Sequence, residues 1–311
     1  MAERDHTRSE IMSTLSTVGQ RLSTSKARVK LDFSAVQRIY PSGMLMLLAH
    51  LELLSEIFPG RIRAACPRGS MAAQLIQHFN FAQRLGVPAA GNQPRHGSVT
   101  NWRFATGRQA EGEKILRHIE TFAALVGSSV PDGLYNALTE AMTNVRHHAY
   151  PAGDSHQPES MRRWWLFSKC ISPTPETKGD LYLAFYDVGV GIQASMRTNL
   201  LGMREHVGMH IDNVLLKLGV TTGRAQDVQL LRLAVEQPRT STGLPFRGKG
   251  LPEMKEFAAS TSGGRMTIVS GHAQYSFQAH CGEATVSKSE RGILGTLIMW
   301  NLPLTWKEPT T

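Results

Sequence analysis

Apolar residues recur along this chain with two different periods in alternation, and that restricts the fold more than any other feature. Ile11, Leu15, Val18 and Leu22 are spaced by four, three and four residues, which lays a stripe along one helix. Residues 28–33 then read as a short strand. Pro41-Ser42-Gly43 opens an apolar segment of helical length, residues 44–57, with Ser42 or Gly43 as its expected cap. A second strand at 61–66 and a helix at 70–85, stopped by Gly86 and Pro88, follow. The stretch AAGNQPRHGSV at 89–99 is rich in Gly, Pro and polar residues and reads as a domain boundary. Beyond it the spacing predicts a strand at 102–106, helices at 112–126 and 133–150, and strands at 162–171 and 180–187. Helical pieces at 212–218 and 227–236, a helix at 251–259, and strands at 265–270, 275–280 and 295–302 complete the chain. Interleaving of this kind predicts a mixed α/β protein. At roughly 150 residues per domain, 311 residues make about two: a first domain at 1–90, a linker at 91–99 and a second domain at 100–311.

Charge and cysteine usage narrow the class. The chain holds 34 Lys+Arg and 25 Asp+Glu, a net +9, which raises nucleic acid or an anionic surface as a partner. Residues 1–90 carry 11 basic and 6 acidic side chains (+5), and residues 91–311 carry 23 and 19 (+4). With no block of like charges, the bias does not make a binding arm. No apolar run reaches the roughly 18 residues of a membrane span; the longest, 44–54, is broken by His50 and Glu52. The polar N-terminus is not a secretory signal. Cys66, Cys170 and Cys281 form neither a disulfide framework nor a metal pair. The expected location is the reducing cytoplasm. His147 and His148 lack a metal-ligand pattern and read as surface or satisfied core positions.

Four motifs in the second domain carry chemistry. Glu140-Ala-Met-Thr-Asn144 puts a carboxylate and an amide on one helix face, a turn apart. An amide oxygen is a hard ligand suited to Mg²⁺, and a carboxylate beside that ion can hold and polarise a water. Asp187-Val-Gly-Val-Gly191 ends the apolar strand, where the Asp can accept from an exocyclic amine and the glycines let a ring approach bare backbone. Arg247-Gly-Lys-Gly250-Leu251 enters a helix, where exposed N–H groups favour phosphate; it is neither a Walker A loop nor a Rossmann fingerprint. Gly295-Thr296 lies on a strand near the C-terminus.

In this order and on these elements, the four motifs resemble the N, G1 and G2 boxes and terminal Gly-Thr of the GHKL (histidine kinase-like) ATPases. That family includes DNA gyrase, MutL, sensor histidine kinases and the anti-sigma factor serine kinases. The resemblance spans roughly residues 100–303, and the N box Glu140–Tyr150 is closest to the anti-sigma kinase form. It implies an α/β chain of the α+β two-layer type with a Bergerat-fold ATPase domain, binding ATP and Mg²⁺. By that resemblance Asn144 holds the Mg²⁺ that bridges to the ATP phosphates, and Glu140 is the general base or water-positioning residue. Asp187 reads the adenine amino group, with Thr296 bridging through a water. Gly189 and Gly191 line the adenine edge, and Gly248 and Gly250 give amides to the phosphates. Lys249 and Arg247 are further phosphate contacts, and residues 192–247 form a long ATP lid. No Ser-His-Glu phosphoacceptor box precedes the region (His118-Ile-Glu120 lacks the rest of that motif), and no transducer domain follows. Sensor histidine kinases, topoisomerases and MutL are therefore the poorer matches.

The first domain offers a second resemblance. Leu31-Asp-Phe-Ser34-Ala-Val36 followed by Pro41-Ser42-Gly43-Met44 is similar to the STAS motif of anti-sigma factor antagonists, with Ser42 at the position phosphorylated there. Pro41 stands where those proteins usually carry Asp or Ser. The two resemblances imply a cytoplasmic Mg·ATP-binding regulatory protein that hydrolyses ATP or phosphorylates a protein partner on Ser/Thr. A partner that is acidic or STAS-containing, and a homodimer, fit the same picture. Two rivals are a nucleotide-gated protein-binding switch with negligible turnover and an ATP-driven nucleic-acid clamp.

Overall fold

The computed structural model describes residues 2–37, 40–65, 71–81, 99, 101–108, 113, 117, 120, 131–150, 162–198, 225–236 and 250–306, without the side chains of 2–7, 71, 225 and 290. The chain is mixed α/β and divides into two compact units. One comprises Met1–Phe104 with Phe167–Lys169; the other comprises Ala105–Leu166 with Cys170–Thr311. The expected linker at 91–99 lies outside the described residues except for Val99, which is buried.

In the first unit, helix α1 (Ala2–Thr24) buries the predicted stripe at Leu15, Val18 and Leu22. Strand β1 (Val29–Asp32) pairs in parallel with β2 (Ile62–Ala65), in register Val29↔Ile62 to Asp32↔Ala65. Between them runs α2 (Pro41–Ile57). This helix starts earlier than the apolar pattern predicts. Tyr40 is the N-cap without a side-chain cap bond, and Pro41 occupies the first helical position. Pro has no N–H to orphan there and its fixed φ suits the turn, so neither Ser42 nor Gly43 is needed as a cap. Helix α3 (Met71–His78) stops before Gly86 because Asn80 adopts φ 50°, a left-handed stop. Arg61 ties α1 to β2: its guanidinium donates to the carbonyls of Leu22 (2.9 Å), Ala27 and Ser25, and lies over the Phe58 ring. Phe79 stacks on Phe167 at 4.3 Å and meets Trp102 edge-on.

A five-stranded sheet in the order β3-β4-β5-β7-β6 frames the second unit, apart from Trp102–Phe104 and Phe167–Lys169, which count with the first. The strands are β3 (Trp102–Gly107), β4 (Trp164–Ile171), β5 (Gly179–Asp187), β6 (Arg265–Gln278) and β7 (Glu283–Leu304). Both β5–β7 and β6–β7 are antiparallel. The helices are α4 (Leu134–Asn144), a short α5 at residues 191–198, α6 (Ala225–Glu236) and α7 (Gly250–Ser260). Helices α6 and α7 pack on β6 and β7, and α4 packs on α7. Between these layers lies an apolar core that includes Leu183, Phe185, Met254, Ile268 and Trp300. Trp300 anchors it, donating its indole N–H to the Met254 carbonyl at 3.3 Å with its ring against Phe257.

Three expectations change here. The last three predicted strands are two long ones, because the polar run 283–288 pairs with Ala273–Gln278 despite its low hydrophobicity. The long helix at 133–150 keeps α geometry only to Asn144 and finishes as a π turn, Val145–Ala149. The region expected to be a lid opens with helix α5. The predicted helix at 212–218 lies outside the described residues, as does most of 112–126. No helix among the described residues is long and apolar enough to cross a membrane.

Candidate functional site

Three of the four motifs meet at one end of the second unit through backbone packing that tolerates almost no side chain. Asp187 ends β5 directly opposite Thr296 of β7. Its carboxylate accepts from the Gly189 N–H at 2.8 Å, closing the turn after the strand. Gly189 lies so close to the Ala149 carbonyl and methyl that an added Cβ would overlap both. The next amide, Val190 N–H, donates to that same Ala149 carbonyl at 2.9 Å. The π turn therefore ends on the Asp187 loop, and its widened ring carries the end of the N-box helix there. Single π turns inside helices concentrate at functional sites.

A β-bulge shapes the other wall. Ser270 pairs with Thr296, but the next β6 residue, Gly271, pairs with Ile293, so Leu294 and Gly295 bulge out of β7. Gly295 has φ 72°, and a Cβ there would run into the Asp187 carbonyl. Only glycine joins this left-handed turn to so close a neighbour. Bulges beside active sites re-aim side chains; here the bulge sets Thr296 against Asp187 and Ser270. Ser270 is fully buried and joins the pieces. Its hydroxyl accepts from Ile192 N–H (2.9 Å), donates to the Gly295 carbonyl (3.1 Å) and lies 3.4 Å from the Thr296 hydroxyl. Its carbonyl accepts from the Gln193 amide at 2.7 Å.

Asp187 is buried, and burial pushes its carboxyl up to about 7 from an ordinary 3.8. Backbone N–H groups of Gly189 and Thr296 pull the other way without cancelling the desolvation. The same charge helps push the Tyr150 phenol upward, after burial, which is the larger cause. A buried carboxylate of this kind favours a ligand that donates to it.

The N and G2 motifs meet as well. Gly250 is the first residue of α7, and a Cβ on it would lie 2.7 Å from Glu140 Oε2 and 3.2 Å from Asn144 Nδ2. The four-residue spacing does put Glu140 and Asn144 on one face, and that face looks at the start of α7. Gly248, Lys249 and Arg247 lie outside the described residues, as does the expected lid apart from residues 192–198 and 225–236. The two described pieces of that region are tied by Arg197, which donates to Asp227 at 2.6 Å. His147 and His148 are both exposed.

Sequence reasoning missed Ser270, Gln193 and Ala149. A Ser-Gly pair in the middle of an apolar strand was the available signal for Ser270, since glycine inside a strand marks a bulge. No family model matches this chain, and no curated protein matches it in sequence.

Proposed function

We propose that the second unit binds Mg·ATP in a Bergerat-type site and belongs to a GHKL-like regulatory protein with a STAS-like first unit. In this reading the adenine lies at Asp187 and Thr296, and the phosphates point toward Gly250, Glu140 and Asn144. The observation that carries it is the meeting of Glu140, Asn144 and Gly250. A carboxylate and an amide face a glycine that begins an eleven-residue helix, where backbone amides and the helix dipole favour phosphate.

The residues fit a magnesium nucleotide. Among the described residues no group of three or more His, Cys, Asp or Glu could hold a metal ion without help. An ion at Asn144 therefore takes its remaining ligands from phosphate and water, the usual arrangement for Mg²⁺. Bound Mg²⁺ supplies charge neutralisation on the phosphates. The chain's own residues do the rest: Asp187 accepts from the adenine amino group, and Thr296 holds the neighbouring water. Glu140 orients a water or a partner's hydroxyl for in-line attack on the γ-phosphorus. Phosphoryl transfer asks for this kind of positioning more than for covalent chemistry. Ser42 stands in the first turn of α2, where a phosphate would be electrostatically favoured, and it is the candidate acceptor within the chain.

The test is incubation with Mg²⁺ and ATP labelled on the γ-phosphate, beside equilibrium binding. Label released as phosphate means hydrolysis, and label on Ser/Thr of the chain or a partner means transfer; either is expected to fall at least 100-fold in Glu140→Ala. Binding with no release or transfer identifies a nucleotide-gated switch. No binding, or binding unchanged by Asp187→Asn, overturns the reading. DNA affinity with a steep negative salt slope would favour the nucleic-acid clamp instead.

A further inference from the structure

We infer that Ser270 is a positioning residue for purine selection: it fixes the Thr296 hydroxyl so that, with Asp187, the base end of the site presents only acceptors and prefers a 6-amino to a 6-oxo purine. The inference rests on the nucleotide reading above and adds a determinant to it.

A serine hydroxyl has one proton to donate and two lone pairs to accept with. Ser270 Oγ has three neighbours: the Ile192 N–H at 2.9 Å, the Gly295 carbonyl at 3.1 Å and the Thr296 hydroxyl at 3.4 Å. The amide can only donate and the carbonyl can only accept. The single Ser270 proton goes to Gly295, so the remaining lone pair is left for Thr296. Any bond between the two hydroxyls then runs from Thr296 to Ser270, which leaves the Thr296 oxygen only lone pairs to offer a ligand. All three partners are backbone groups or buried side chains: Ser270 is 0% exposed and Thr296 8%. Burial keeps solvent off Ser270 itself.

At pH 8, where the ATP and ITP affinities are compared, the Asp187 carboxylate is ionised and acceptor-only as well. The base edge that fits two acceptors carries an amino group, with a water able to donate both to the ring nitrogen and to Thr296. A 6-oxo purine offers a carbonyl oxygen where Asp187 needs a donor. A Thr296 hydroxyl free to rotate could rescue that base by donating to it; one committed to Ser270 cannot. Asp187 supplies the basic preference and Ser270 sharpens it by removing the escape. Leaving buried polar groups unpaired is what makes such discrimination strong.

The experiment measures Mg·ATP and Mg·ITP affinities by calorimetry on the full chain and on Ser270→Ala, Thr296→Val and the double variant. Each single variant is expected to lower the ATP/ITP affinity ratio about five- to tenfold, the worth of one net hydrogen bond. In Ser270→Ala part of the change is a gain in ITP affinity. The double variant should lower the ratio no further, since Ser270 acts through Thr296. A purely structural Ser270 would weaken both nucleotides in parallel and leave the ratio unchanged; that result overturns the inference. If Ser270→Ala does not fold, an unchanged ratio in Thr296→Val overturns it equally. A wild-type chain that binds neither nucleotide overturns the nucleotide reading itself, whereas ATP binding with unmoved ratios overturns only the role of Ser270.

Discussion

Under the nucleotide reading proposed above, Asp187 couples stability to ligand binding through one proton. Its folded-state carboxyl titrates near 7 against an ordinary 3.8, because burial disfavours the charge. A raised folded value means that the native state holds the proton more tightly than the unfolded chain. The associated stability is fully present below pH 4 and is lost as pH rises through 7. Asp187→Asn removes that dependence. Its unfolding free energy relative to wild type should therefore improve between pH 4 and 7 and then level off. The expected change is on the order of a few kcal/mol, read from urea midpoints across pH. A ligand that donates to the carboxylate needs the ionised form, so ATP affinity should rise from pH 6 to 8 in wild type and stay flat in Asp187→Asn. The same residue was legible in the sequence, as the polar end of an almost wholly apolar strand. Ser270 was not, because its partners at 192, 295 and 296 come together only through the bulge.

At the level of elements, the π turn decides whether two motifs meet. Five residues, Val145–Ala149, take the wider ring and bring Ala149 against Gly189. Gly189→Ala, whose added Cβ would overlap the Ala149 carbonyl and methyl, should push the loop away from the π turn. The expected outcome is at least a tenfold loss of ATP affinity with the far-ultraviolet circular dichroism of the folded chain retained. A variant that binds ATP normally would show that this contact is incidental. The helix was readable from its spacing, but its final register was not, since a π turn is chosen by what it docks on rather than by local propensity. The start of α2 at Pro41 and the stop of α3 at Asn80 follow the same logic, because single residues with special backbone preferences outvoted the apolar pattern. The polar half of β7 escaped prediction because cross-strand pairing with β6 holds it, and pairing is not visible in one strand's composition.

For the molecule as a whole, the two-unit division predicts how the chain melts. Calorimetry should show two transitions, and only that of the second unit should move with Mg·ATP. A ligand at 100 times its Kd adds about 2.7 kcal/mol to the state that binds it. If both transitions move together, the units unfold as one. Length and the punctuation at 89–99 lead to an expectation of two domains; the fold divides into two compact units, and that division is not a single cut in the sequence. Phe167–Lys169 count with the first unit, and Phe167 supplies the ring on which Phe79 stacks.

That exchange of three residues imposes an order on biosynthesis. A first unit ending at Phe104 could close as soon as its last residue left the ribosome. This one waits for Phe167–Lys169, about 65 residues later, or roughly 3–13 s at 5–20 residues per second. During that interval Phe79 has Trp102 and Phe104 beside it but lacks the Phe167 ring that stacks on it, so one face of the ring stays uncovered on the nascent chain.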